Sequence, residues 1–184
     1  MAAATLDIGF TGPRDKQTNA LRILYAIPHL ICVGALNGFN QALAVIQWVL
    51  VLFTGKRNRG LWDLQRGVLD WQVRAYAYAG LMFDTYPNFG FEKKDEPVAF
   101  GLEFEETANR LTCALRLIWA IPAAIMVAVV GIGAWFITVV SWFAIVFTGE
   151  QSKGRFDFLL RFHRFWINFA AYLTLATDTY PKFV

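Results

Sequence analysis

The sequence has 184 residues, of which 57% are hydrophobic and 17% are charged, whereas soluble domains average roughly 45–50% and about 25%. With a mean hydropathy of +0.41, such a chain cannot cover its surface with polar groups, which argues against a soluble globular domain. The net charge is +3, but the basic residues flank apolar runs instead of forming one stripe. This pattern argues against a nucleic-acid partner and is typical of a membrane protein.

The first segment, residues 1–19, is polar and contains Gly9, Gly12 and Pro13. We interpret it as a lead-in on the cytoplasmic side. It has no basic stretch followed by an apolar one, so we expect no cleavable signal peptide.

The first apolar run has no charged residue between Arg22 and Lys56, which leaves 33 residues (56 − 22 − 1). A single helix of this length would reach roughly 50 Å, against a hydrocarbon core of roughly 30 Å. One long tilted helix and a span with an interfacial extension are both possible. We favour a hairpin with spans 21–37 and 40–55, because glycine and asparagine cluster in its middle and positive charge flanks both ends. In this hairpin Arg22 reaches the interface, and Pro28 kinks or begins the first arm.

The next segment, residues 61–83, has the spacing of an amphipathic helix. Its charged residues Asp63, Arg66, Asp70 and Arg74 recur every three or four positions, and the remaining surface is apolar and aromatic. Such a helix lies at the headgroups of a membrane or packs on the hairpin with its polar stripe towards water. It ends at residues 84–87, Asp-Thr-Tyr-Pro, because the residue before a proline disfavours the helical conformation.

After an acidic linker, residues 90–109, the whole pattern recurs. Residues 20–28 read ALRILYAIP and residues 114–122 read ALRLIWAIP, an offset of 94 (122 − 28). The same offset relates WVLVLFTG (48–55) to WFAIVFTG (142–149) and residues 84–87 to residues 178–181. The chain therefore divides into the lead-in, a first repeat (20–89), the linker and a second repeat (110–184), with further spans at 112–130 and 133–149.

These motifs together predict an all-α, polytopic membrane protein of two pseudo-symmetric repeats, each a transmembrane helical hairpin followed by an amphipathic interfacial helix. Gly55 and Gly149 are expected to end helices in the left-handed conformation. The residues assigned to lipid or partner contact are Arg66, Arg74, Arg161, Arg164, Trp62, Trp71 and Trp166. The residues assigned to structural motifs are Arg22, Pro28, Gly55, Asp84, Tyr86, Pro87, Arg116, Pro122, Gly149, Asp178, Tyr180 and Pro181.

The sequence resembles the bacterial membrane family catalogued as domain of unknown function 4389. The resemblance rests on an arginine-containing run into Ile-Pro-His, an aromatic-rich run ending in Phe-Thr-Gly, and a closing Tyr-Pro. It covers about residues 21–89 and 115–183, and the second half departs from it at Ala123, where the first half has His29. The resemblance strengthens the membrane interpretation and implies no activity.

No motif in the sequence indicates catalysis, a metal or a cofactor. His29 is the first candidate for ligand or proton chemistry, although a histidine that anchors the first arm is the simpler interpretation. His163 could contact an anionic headgroup, although an ordinary interfacial residue is the simpler interpretation. We therefore expect a non-enzymatic accessory or scaffold subunit of a larger assembly in the bacterial inner membrane, contacting lipids and other membrane subunits. A small transporter or channel, or a lipid-binding membrane protein, is the alternative.

Overall fold

The computed structural model describes residues 3–91 and 97–183. Four helices hold most of these residues, and two short strands form a ribbon. In chain order the elements are β1 (Thr5–Ile8), α1 (Lys16–Thr54), α2 (Arg59–Ala79), β2 (Val98–Gly101), α3 (Arg110–Thr148) and α4 (Lys153–Leu173). The predicted repeat is confirmed, since each half contains a 39-residue helix followed by a 21-residue helix.

Each apolar run forms one continuous helix, so the predicted hairpins are wrong. α1 passes without a break through residues 37–40, and α3 passes through residues 130–133, where turns were expected. The spans 21–37 and 40–55 therefore merge, as do 112–130 and 133–149, into two helices of 39 residues, each about 58 Å long. Pro28 and Pro122 lie inside these helices.

Tertiary packing outweighs the local turn preference in the middle of α1. A glycine such as Gly38 costs a helix about 1 kcal/mol relative to alanine. The neighbouring Asn37 gains a contact that requires a helix, since it accepts a hydrogen bond from Gln72 of α2 at 3.3 Å. A turn here would pull this side chain away from α2.

The ends of the long helices follow local sequence signals. Asp15 and Asn109, which are related by the repeat, cap the N-termini. Each side chain accepts a hydrogen bond from the backbone N–H three residues further along, that of Thr18 and that of Thr112. Gly55 and Gly149 cap the C-termini with φ of 73° and 80°, which confirms the predicted left-handed caps. Both halves therefore begin and end their long helix by the same chemistry.

The long helices pack antiparallel about a pseudo-twofold axis. The indole nitrogen of Trp48, near the end of α1, donates to the Cys113 carbonyl at the start of α3 at 3.0 Å. The equivalent Trp142 of α3 donates to the Asn19 carbonyl at the start of α1 at 2.9 Å. Each helix start therefore lies beside the other helix end.

The shorter helices return along the long ones. Gln47, near the end of α1, exchanges hydrogen bonds with the backbone of Asn58 at the start of α2, and Arg22 reaches the carbonyl of Tyr78 at the far end of α2. α4 returns along α3 in the same way. β1 and β2 form an antiparallel ribbon that packs on α4 and α2, so these two helices lie between the ribbon and the long helices.

The ribbon corrects two further expectations. The chain is mostly helical but not all-α, and the lead-in and the linker each contribute a strand. Alternate residues of both strands are buried, among them Leu6, Ile8, Val98 and Phe100, which join the main core with α2 and α4. Part of the predicted linker, residues 92–96, lies outside the described residues.

Candidate functional site

The buried side of α1 is its polar side. Of its ten buried residues, five are polar: Asn19, Arg22, His29, Asn40 and Gln47. The exposed side is apolar, which inverts the usual arrangement of a helix in a water-soluble protein. The exposed large apolar residues of α1 are Leu21, Ile23, Leu24, Tyr25, Ile27, Leu30, Ile31, Phe39, Val45, Ile46, Trp48, Val49 and Phe53.

α3 shows the same inversion. Its buried residues are mostly small, together with Arg116 and Ser141. Its exposed large apolar residues are Leu111, Leu117, Ile118, Trp119, Ile121, Ile125, Met126, Val129, Ile132, Trp135, Phe136, Val140, Phe143 and Phe147. We call the exposed apolar residues of α1 and α3 together the outer face.

By length and composition, α1 and α3 are each able to cross a membrane. Helices from the core of a soluble protein can pass the same test, but they are mostly buried. Here only 28% of the most apolar window of α1 and 11% of that of α3 are buried within the chain. The outer face is therefore available to lipid or to another protein.

Two buried ionic clusters fix the ends of the shorter helices. In the first cluster, Arg22 of α1 pairs with Asp84 and donates to the carbonyls of Tyr78 and Phe83. Its guanidinium also lies 4.7 Å from the centre of the Tyr78 ring. The carbonyls at a helix C-terminus carry partial negative charge, so Arg22 holds the end of α2 against the start of α1. Burial raises the pKa of the Tyr78 hydroxyl.

The second cluster repeats these contacts. Arg116 of α3 pairs with Asp178, donates to the carbonyls of Tyr172 and Thr177, and lies 4.4 Å from the centre of the Tyr172 ring. The aspartate of each Asp-Thr-Tyr-Pro motif is therefore the anion of a buried cluster. Tyr86 and Tyr180, which belong to the same motifs, are exposed.

A second arginine joins each aspartate, but from a different place in the repeat. At Asp84 it is Arg14, whose guanidinium lies 3.8 Å away and also binds the Met82 carbonyl and the Gln151 side chain. Burial lowers the pKa of Arg14, and the carboxylate of Asp84 partly offsets this effect.

At Asp178 the second arginine is Arg57, 2.6 Å away, which also donates to the carbonyls of Leu175, Glu105 and Thr107. The repeat places Arg57 opposite Gln151 (57 + 94) and Arg14 opposite Ala108 (14 + 94). Each cluster thus has one further arginine beside the first. In the first cluster this is Arg14, from the same half as Asp84, and in the second it is Arg57, from the opposite half to Asp178.

No role was predicted from the sequence for Arg14, Arg57 or Gln151. The sequence does contain a signal for them. Of the repeat-related pairs 14/108 and 57/151, each has an arginine in the first half and an uncharged residue in the second.

The residues assigned to lipid or partner contact do not share one environment. Arg74, Trp62 and Trp71 are buried in the protein, which corrects their assignment. Arg74 pairs with Asp70 at 3.1 Å and donates to the carbonyls of residues 88 and 90, so half of the predicted polar stripe faces inward. The other four stay candidates for contact: Arg66 and Trp166 are half-buried, and Arg161 and Arg164 are exposed.

The two histidines are both enclosed. His29 accepts a hydrogen bond from the Trp71 indole at 3.2 Å and stacks on Phe89 with 4.0 Å between the ring centres. It therefore ties the segment after Asp-Thr-Tyr-Pro to α1, as an anchoring histidine would. His163 is buried with Nδ1 2.7 Å from the Leu159 carbonyl, and not at an interface. Within residues 3–91 and 97–183, no group of three or more His, Cys, Asp or Glu residues is arranged to hold a metal ion.

Two cavities occupy equivalent places in the repeats but differ in polarity. One of about 290 Å³ lies between α2, α3 and α4 and is mainly apolar, lined by Ala134, Trp135 and Phe162 among others. Its counterpart of about 230 Å³ contains four carboxamide side chains: Asn37, Asn40, Gln41 and Gln72. Asn40 corresponds to Ala134 (40 + 94).

Replacing Asn40 by leucine should stabilise the protein. Neither its amide nitrogen nor its oxygen has a hydrogen-bond partner within the described chain, although the residue is buried. An unsatisfied buried polar group costs about 1–3 kcal/mol, so an apolar side chain of similar size removes that cost. Thermal unfolding of the detergent-solubilised protein should show a higher Tm for Asn40→Leu and a lower Tm for Gln72→Leu, which loses the bond to Asn37. A lower Tm for Asn40→Leu would contradict this assignment.

A family model described as Domain of unknown function (DUF4389) matches residues 16–91 and 110–184 of the chain. Each match covers one long helix and the shorter helix that follows it, together with the aspartate of the corresponding cluster. No curated protein and no solved structure matches the sequence. The two matches together span most of the chain, which therefore belongs to this family and contains two tandem copies of its domain.

Proposed function

We propose that the protein is a non-catalytic accessory or scaffold subunit of a larger assembly in the bacterial inner membrane. The single observation that carries the proposal is the outer face, because large apolar side chains line both long helices from end to end while half of the buried residues of α1 are polar. Lipid and the helices of other membrane proteins are the environments that satisfy such a surface. A multi-pass placement would use α1 and α3 as its two crossings.

The outer face of α1 also offers room for the close approach of a partner helix. Gly34 and Gly38 are one helical turn apart, and a side chain added at either position meets no atom of the chain within 4 Å. Small residues with this spacing let helix backbones approach each other in membranes. The surface therefore supports packing against partner helices as well as lipid contact.

Purification of the tagged protein from its native membrane in a mild detergent tests this role. A partner that co-elutes in stoichiometric amount supports it. A solitary monomer that conducts ions or moves a solute in liposomes would overturn it in favour of the transporter alternative.

A matched pair of variants sharpens the same experiment. Gly38→Leu changes the outer face, and the first carbon of its side chain meets no atom of the chain within 4 Å. The partner should therefore be lost while the Tm is kept or raised, because leucine favours a helix more than glycine does. Gly9→Ala, whose added side chain also meets nothing, lies before the long helices and should leave the partner bound. Loss of the partner in both variants, or in neither, would contradict packing on α1.

A further inference from the structure

The course of the chain between its two halves restricts how the long helices sit in a membrane. Asp84 accepts a hydrogen bond from the backbone of Asp15, at the start of α1, at 3.0 Å. Ala108 donates to the carbonyl of Gly55, at the end of α1, at 2.9 Å. The chain between Asp84 and Ala108 therefore starts beside one end of α1 and finishes beside the other, so it would have to cross any bilayer that α1 crosses.

The described parts of this stretch, residues 85–91 and 97–107, contain no helix and are unsuited to that environment. Their regular element is β2, which pairs only with β1 in the described chain, so each strand of the ribbon has an unpaired edge. Irregular backbone and open sheet edges do not face lipid within the hydrocarbon region, because their N–H and C=O groups would have no hydrogen-bond partners.

Exposed charges lie at the level where a crossing would place the bilayer centre. Gly131 lies near the middle of α3, and Phe162 of α4 packs beside it. Two residues further along α4, Arg164 donates to the Leu6 carbonyl at 2.7 Å and pairs with Asp7 at 3.1 Å. The side chains of this pair are 44% and 76% exposed, so a crossing would place an exposed ion pair in hydrocarbon.

The same elements agree with a different placement. Most of the outer face occupies one side of the molecule, because most of the exposed apolar residues of α1 and α3 lie outside the contacts of these helices with α2 and α4. Trp135, which also lines the apolar cavity, lies at its border. The ribbon packs on α2 and α4, and these shorter helices also carry exposed charged side chains. Polypeptides with one apolar and one charged side lie in the membrane interface, with the apolar side about 5–10 Å deep.

We infer that α1 and α3 lie along the plane of the membrane, with the outer face in the hydrocarbon of one leaflet, and do not cross it. This inference rests on the proposed membrane location and replaces the multi-pass placement within it. It also turns Arg161 and Arg164 away from the lipid.

Labelling the two ends of α1 tests the inference in the full chain. In a background with Cys32→Ala and Cys113→Ala, single cysteines are placed at the exposed residues Gln17 and Lys56, at opposite ends of α1. Spheroplasts expressing each variant are treated with a membrane-impermeant maleimide, and detergent-lysed samples show that both cysteines react. We expect the two ends to give the same result in spheroplasts, both labelled or both protected, because they lie on the same side of the membrane.

Labelling of one end and protection of the other would overturn the in-plane placement and leave the membrane location standing. Recovery of the protein in the soluble fraction after cell lysis and ultracentrifugation would instead overturn the membrane location itself, so the two failures are distinguishable.

A depth measurement supplies a second readout in liposomes of phosphatidylethanolamine and phosphatidylglycerol. Spin labels at Ile31 and Val45, both on the outer face, are 14 residues apart (45 − 31), or about 21 Å along α1. In-plane helices place the two labels at equal depth, whereas a crossing helix separates their depths by most of that distance.

Discussion

Asp178→Asn should lower the free energy of unfolding by about 3–5 kcal/mol, because it leaves the guanidinium groups of Arg57 and Arg116 buried without an anion. The side chains of these arginines are 0% and 2% exposed, and that of Asp178 is 2% exposed. Asparagine has nearly the same shape and still accepts hydrogen bonds, so the variant removes the charge and little else. In a chain of this size, the expected fall in Tm is on the order of 10 °C.

Asp84→Asn is the matched control, since the repeat places Asp84 in the same role. Its side chain is 28% exposed, so water screens the charge that is left behind. We expect a smaller loss, about 1–2 kcal/mol. Thermal unfolding of both variants in one mild detergent measures the difference. Equal losses in the two variants, or no loss for Asp178→Asn, would show that burial does not set the strength of these clusters.

The features that local chemistry determines were predictable from the sequence. The repeat follows from identical residues at a fixed offset, and the helix ends at Gly55 and Gly149 follow from the conformational freedom of glycine. Asp84 and Asp178 were recognised as parts of a motif, but their arginine partners are distant in sequence. Only the folded chain shows that Arg22 and Arg116 are buried ion-pair partners and not side chains that reach an interface.

The hairpins failed because length and charge pattern do not distinguish a hairpin from a long helix. A 33-residue uncharged run with positive flanks is compatible with both. The choice depended on Gly38 and its asparagine neighbours and on positive flanks that were taken to lie on one side of the membrane. The bond between Asn37 and Gln72 favours the continuous helix in the structure, and it is a tertiary contact. The ribbon was missed for a related reason, since strands of four residues carry a weak alternating pattern.

Arg57→Gln should cost about 2–4 kcal/mol, because it removes one of the two cations at Asp178 and the donors to three carbonyls. The repeat indicates how to restore the loss. Glutamine at position 57 reproduces Gln151 of the first cluster, and arginine at position 108 would reproduce Arg14. The backbone N–H groups of the repeat-related residues Arg14 and Ala108 already make equivalent hydrogen bonds. Arg14 donates to the Gly149 carbonyl, and Ala108 donates to the Gly55 carbonyl.

We therefore expect the double variant Arg57→Gln/Ala108→Arg to recover at least half of the stability that Arg57→Gln loses. Ala108→Arg alone should be destabilising, since it adds a third guanidinium to a cluster that already holds Arg57 and Arg116 beside one carboxylate. A double-mutant cycle of Tm values separates these effects, and residues in one ionic network typically couple by about 0.5–3 kcal/mol. Additive losses in the cycle would mean that the two arginine positions are not interchangeable, and that the clusters of the two halves are built on different principles.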